Sequence, residues 1–254
     1  SLAFPIQHLI IGFATGIGVG MNSLLSKSLG EGDGEKANRA AGNSILLMLL
    51  ATVGFMLFGA FGAGWYYQNQ PISADTAAAG TAYTRICSLF TIGIFVEILT
   101  ERMLQSTGKT VYTLFTQGTG AVLNILLDPV FIFGVEWLGI EPMGISGAAV
   151  ATVIGQWSGA LLGLYLNEKH NPEVQFGRRY AKLDKKIVAG ILTVGIPSII
   201  MNGIGSVMNF GMNQILLGFS DTHGQTPANV FGIYFKLQSI FLMPLFGINN
   251  ASIS

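Results

Sequence analysis

Lysine and arginine fall in only every second connection between long apolar segments, and this alternation most restricts the folds open to the chain. The apolar segments run over residues 2–26, 40–67, 77–107, 110–134, 144–166, 187–219 and 227–254. Each is long enough for a helix to cross a bilayer, which takes roughly 20 residues. The connections after the first, third and fifth segments carry Lys27, Lys36, Arg39, Lys109 and the cluster Lys169, Arg178, Arg179, Lys182, Lys185 and Lys186. Those after the second, fourth and sixth carry none. Cytoplasmic loops hold an excess of Lys and Arg. The pattern therefore predicts an all-α, polytopic protein of the inner (plasma) membrane, with the basic loops 27–39 and 167–186 in the cytoplasm. The first segment then enters from outside. With no initiating Met, the chain reads as an internal piece of a longer protein, and a cytoplasmic N-terminus would require at least one helix ahead of residue 1.

Composition excludes several function classes. Hydrophobic residues make up 50% of the chain and charged residues 10%, a balance foreign to a soluble domain of this length. The formal net charge is zero, which gives no basic surface for nucleic acid. Cys87 is the only cysteine, so no internal disulfide forms, and no metal-ligand spacing is present. The run from Gly30 to Gly34 has neither a preceding strand nor a Gly-Lys-Ser/Thr ending, and reads as a membrane-surface turn.

The residues that stand out are polar groups inside apolar segments. Asp128 lies in the second half of the fourth segment, in NILLDPVFIF. An ionised Asp at the middle of a membrane costs roughly 2.5–3.5 kcal/mol on insertion scales, which makes it a functional candidate. Asn124, four residues earlier, shares its helix face, and Gln117 extends that face. Pro129 follows directly and removes a backbone donor, a place for a kink and a freed carbonyl. In the third segment Glu97, Glu101 and Gln105 recur every four residues, and Arg85 and Arg102 lie nearby. The sixth segment places Asn202, Ser206, Asn209 and Asn213 on one stripe. Glu97, Glu101, Gln117 and this stripe are candidate cavity-lining residues. Each also has a plain structural reading, as an ion pair or as interhelical hydrogen bonding. Gly12, Gly16 and Gly20, and the run Gly147, Ala151, Gly155, Gly159 and Gly163, are small-residue stripes that let helices approach closely. Thr152 and Gln156 stand beside the second stripe.

A short internal match adds to this. Gln7 followed by Gly16-Ile17 repeats as Gln238 followed by Gly247-Ile248, in the same direction across the membrane. Parallel repeats of two six-helix halves are a common transporter plan, with a central site.

The stretches GIGVGMNSLLSKSLGEGDGEKANRA, TERMLQSTGKT, GAVLNILLDPVFIFG and MGISGAAVATVIGQ resemble the multidrug and toxic compound extrusion (MATE) transporters, and the Glu-Arg-Met-Leu-Gln stretch is similar to the staphylococcal multidrug exporters. The resemblance covers essentially the whole chain. It implies twelve helices in two bundles, of which this chain would hold about seven. Residues 1–168 would be an N-terminal bundle lacking its first helix, 169–186 a basic inter-lobe loop, and 187–254 the truncated start of the second bundle. It also implies efflux of small organic cations in exchange for H⁺ or Na⁺, by a monomer in the lipid bilayer with no cofactor and no enzymatic step. Asn124, Asp128 and Thr152 match the family's cation-coupling residues, with Na⁺ a candidate ligand of Asp128 and Asn124. The family's first-helix aspartate is outside this sequence. The helix-seven glutamate of some relatives has no counterpart here.

Two alternatives accompany this reading. A lipid-linked oligosaccharide flippase of the same superfamily would present Arg and Lys to a diphosphate headgroup, and only Arg85 and Lys236 are candidates. An intramembrane enzyme would need a paired Asp, a His-Glu-x-x-His motif or a Ser–His pair. No second Asp occurs in a span, the motif is absent, and His8, His170 and His223 offer no convincing Ser partner. An adaptable apolar wall for the substrate is expected from residues such as Phe90, Phe95 and Met208.

Overall fold

The computed structural model describes residues 2–70, 72–135, 139–175, 180, 182–218, 230–234 and 237–238, and for 206, 209, 213, 217 and 218 the backbone only. The first helix, α1, spans Phe4–Gly30. Pro5 sits in its first turn, where an N–H has no partner to lose. A turn at Glu31–Asp33 follows. The Asp33 carboxylate accepts the Lys36 N–H at 2.9 Å and caps α2, Gly34–Leu57. The polar connection expected over 27–39 is thus mostly helix, because one side-chain cap starts α2 within the charged stretch.

The second helix passes through a π-helical turn, Phe58–Gly62, into α3, Ala63–Gln68. The wider turn leaves a carbonyl available, and Ala60 O accepts the Arg85 guanidinium at 3.5 Å. The Ser73 hydroxyl caps α4, Ala74–Leu89. The segment expected to be continuous over 77–107 breaks at Phe90–Thr91, and α5, Ile92–Ser106, departs at 48°. Thr91 Oγ1 donates to the Cys87 carbonyl at 2.9 Å, competing with the helical ladder at the break. Next come α6, Val111–Phe133, which runs unbroken through Pro129, and α7, Ile145–His170. Gly134, at φ 74°, ends α6, and one antiparallel bridge joins Val135 to Ile140 before α7 begins. The last long helix, α8, spans Lys185–Gly218.

Five of these spans are long and apolar enough to cross a membrane, and the bent α4–α5 pair makes six. The seventh expected span, 227–254, lies almost entirely outside the described residues. The outer faces of α2 and α6 expose Leu50, Val53, Leu57, Leu114, Val122 and Ile125, as lipid-facing helices do. Inside, Ile10, Ile17 and Met21 of α1 pack with Met48 of α2, Phe95 and Leu99 of α5 and Ile191 of α8.

The three basic connections meet at one end of the bundle. Arg39 pairs with Asp184 at 2.7 Å. Asn43 donates to the Lys182 carbonyl at 3.1 Å and accepts the Asp184 N–H at 2.9 Å. Lys109 lies 3.4 Å from the Glu173 carboxylate. At the other end the Tyr66 hydroxyl donates to the Leu2 carbonyl at 3.2 Å, and Gln214 of α8 donates to Gln70.

Both small-residue stripes lie at helix contacts. Gly16 and Gly20 of α1 face Gly195, Ile199 and Ile191 of α8, with backbone meeting backbone. A side chain at Gly20 would strike the Ile191 carbonyl, whereas nothing lies within 4 Å of a Cβ at Gly54. Gly20→Leu in the full-length protein should therefore lose roughly 1–3 kcal/mol of stability, the usual cost of overpacking. Gly54→Leu should leave stability unchanged, as read by denaturation in detergent.

Candidate functional site

The α7 stripe sets the distance between three helices. Gly147 lies against the Phe131 carbonyl of α6, and a Cβ at Gly155 would sit 2.8 Å from the Gly120 carbonyl. Gly159 lies against the Glu97 carboxylate of α5, and Gly163 against Thr100. With no side chains between them, the polar residues flanking these contacts come within hydrogen-bond reach. Thr152 Oγ1 donates to the Ala148 carbonyl at 2.8 Å and accepts from Asn124 Nδ2 at 3.4 Å. The same amide nitrogen lies 3.4 Å from Asp128 Oδ1. Asn124, Asp128 and Thr152, singled out on two separate segments, thus form one cluster.

The cluster opens on a cleft of about 290 Å³ between α5, α6 and α7. Glu97, Gln117, Asn124, Thr152 and Gln156 line it, and Gly120, Ala121 and Gly155 complete its wall. This volume is at the lower edge of the roughly 300–1,000 Å³ typical of small-molecule sites. Glu97 and Gln117 therefore share a cleft with the Asp128 cluster. Glu101 stands one turn from Glu97, accepting from Thr116 Oγ1 at 2.8 Å and Gln117 Nε2 at 3.0 Å. Its neighbour Arg102 turns elsewhere: its side chain packs on Gly18 of α1, and Nη1 donates to Gln105 at 2.9 Å.

Other candidates lie apart. Asn202 is beside Gly12 at the α1–α8 contact, and its amide donates to the Ser198 carbonyl at 2.8 Å. The side chains of Ser206, Asn209 and Asn213 lie outside the described residues, as do Lys236 and the repeat residues Gly247 and Ile248. Phe95 is fully buried against Phe55, with ring centroids 6.1 Å apart, and belongs to the core rather than to a substrate wall. Phe90 and Met208 are exposed.

One participant, Tyr83, carries no signal of its own in the sequence. The Tyr83 phenol of α4 accepts from Gln7 Nε2 of α1 at 2.8 Å and also reaches the Thr152 hydroxyl. A polar line thus runs from Gln7 through Tyr83, Thr152 and Asn124 to Asp128. Tyr83 lies 76 positions from Gln7, beyond any periodicity. The recurrence of Gln7 in the internal match is its only pointer.

An all-α bundle with lipid-facing outer helices and a polar cleft lined by a carboxylate, with Asp128 beside it, is the build of a multi-pass membrane transporter. The chain belongs to the MatE family, whose profile matches residues 1–130; members of this family are transporters, not enzymes. It is 26% identical over 246 residues to a probable multidrug resistance protein, YoeA, of Bacillus subtilis, covering 95% of this chain and 51% of that protein. It is 25% identical over 249 residues to the multidrug export protein MepA of Staphylococcus aureus, covering 93% and 50%. Among solved structures it resembles the MATE multidrug transporter DinF-BH, with TM-score 0.88 and 29% identity over 98% of this chain and 54% of that one. It also resembles an inward-facing multidrug resistance MATE family transporter, with TM-score 0.86 and 26% identity over 97% and 54%. The chain spans about half the length of the relatives it matches.

Interhelical hydrogen bonds in membranes average about 0.6 kcal/mol. A double-mutant cycle of Asn124→Ala and Thr152→Val in the full-length protein should return a coupling near that value by reversible unfolding. The single-variant unfolding free energies from the same cycle report whether each fold is intact, so a transport defect in a variant of wild-type stability would be functional.

Proposed function

We propose that the full-length protein is a cation-coupled efflux antiporter of the plasma membrane that exports small organic cations as H⁺ or Na⁺ enters. The observation that carries this reading is the Asp128–Asn124–Thr152 cluster opening on the cleft. A carboxylate there is a natural ligand for a cation, and the Asn124 and Thr152 oxygens can complete the coordination of Na⁺. Burial disfavours the charged form of such a group, so binding H⁺ or Na⁺ relieves the cost. Neutralisation also weakens the attraction for a cationic substrate, which the rest of the cleft still holds. Ion and substrate thus compete for the same carboxylate, which couples ion entry to substrate exit. The names of the relatives, multidrug export and multidrug resistance proteins, support an organic substrate.

Side-chain chemistry favours a cation over a diphosphate headgroup. Lysine and arginine are missing from the described lining of the cleft. Arg85 is exposed and hydrogen-bonded to Ala60, which weakens the flippase alternative. The clustering of the three basic connections at one end supports a cytoplasmic side there. The protein is read as acting as a monomer.

The test is ethidium efflux from energised cells, comparing the full-length wild type with Asp128→Asn at matched expression. Efflux should fall to the level of cells lacking the protein, while the purified variant still binds ethidium. Unchanged efflux would place the coupling site elsewhere.

A further inference from the structure

The reading centred on Asp128 leaves Glu97, the carboxylate in the cleft's own lining, without a role. Glu97 has only 8% of its surface exposed, yet it lines the cleft. Its carboxyl lies on the bare backbone of Gly159, with Oε1 also 3.6 Å from a Cβ built on Gly120. Neither glycine offers it a donor, and among the described residues Glu97 takes part in no side-chain hydrogen bond or ion pair. Glu101, 6% exposed and one turn away, is the contrast. Both its oxygens receive neutral donors, from Thr116 and Gln117. Donors on both oxygens suit an anion, whereas a carboxyl pressed on glycine backbone and open to a cleft suits a neutral acid.

Among the described residues no cation acts on Glu97; Arg102 attracts only its neighbour Glu101. Arg102 is directed at Gly18 of α1 and at Gln105, while Glu97 faces α6 and α7. From α6 the groups on this side are Gln117, Asn124 and, a turn further, Asp128; from α7 they are Thr152 and Gln156. The α1 helix brings His8 to its opposite end, stacked on Phe4, and Lys27 beside Ser26, which meets the end of α5 at Ser106. The charged groups of α2, from Glu35 to Arg39, lie in its first turns, at that same end. Two like charges four residues apart on a helix repel, and neutralising one removes the repulsion.

We propose that Glu97 is a second proton-loading group of this cleft, filled and emptied through cleft water independently of Asp128, so that the site exchanges two protons rather than one. The step is a plain proton transfer: one O–H bond forms on the Glu97 carboxylate as a proton leaves hydronium, and the reverse on release. The proposal deepens the antiporter reading and rests on it only for the use made of the second proton.

The test is infrared difference spectroscopy of the full-length protein across a pH step, following the carbonyl band of protonated carboxylic acids. Wild type is compared with Glu97→Gln and Asp128→Asn. The expected result is two titrating contributions, one lost in Glu97→Gln and kept in Asp128→Asn, the other the reverse. A spectrum unaltered by Glu97→Gln overturns the proposal. So does a Glu97→Gln protein that fails to accumulate, because Gln mimics the protonated state that the proposal makes a normal one. Efflux by Asp128→Asn reports on the antiporter reading and the Glu97 band on this one, so either can fail alone.

Discussion

Close approach of helix backbones at the α7 stripe is the contact on which the site depends. Gly155 against the Gly120 carbonyl fixes α6, and Gly159 against Glu97 fixes α5. In lipid no hydrophobic force draws helices together, so packing of small residues does that work. The same contact has a chemical consequence. Side chains that flank a glycine seam are forced to within a few ångströms of one another, as Asn124 and Thr152 are here, with Glu97 on the same cleft. Fold and site therefore share one cause, and a bulky residue on the seam would damage both.

A second constraint acts at the end of the bundle where the basic connections gather. Asp184, the last residue before α8, accepts from Arg39 and donates its own N–H to Asn43 of α2. Its carboxylate also caps α8 through the Lys186 N–H at 2.9 Å. One aspartate thus ties the start of α8 to α2, while Gly16 and Gly20 lock the same helix to α1. The structure holds α8 to the preceding helices by a polar clamp at one end and a glycine seam along its length. Asn202 faces that seam rather than the cleft, because the register of α8 on α1 is set by Gly195 and Ile191.

Much of this was legible from residue type alone. Spans were readable because an unpaired backbone cannot cross lipid, so length and hydropathy mark helices directly. Asp128, Asn124 and Thr152 stood out because polar groups are rare in such segments. Boundaries were less readable. Asp33 starts α2 inside a charged stretch, and Thr91 breaks a segment whose hydropathy is continuous. Pro129 was a place for a break, yet α6 continues through it. These outcomes depend on single hydrogen bonds and on neighbouring helices, which hydropathy does not record.

The sequence by itself determined that the chain is helical, membrane-spanning and equipped with intramembrane carboxylates, because each of these follows from local composition and a fixed bilayer thickness. Tertiary structure alone decided which polar groups meet. Tyr83 joins Gln7 across 76 positions, Glu101 takes both its donors from α6, and Glu97 is left with glycine backbone and an open cleft. Partnership between helices depends on rotation and register, which small-residue packing fixes in three dimensions and which no single segment encodes.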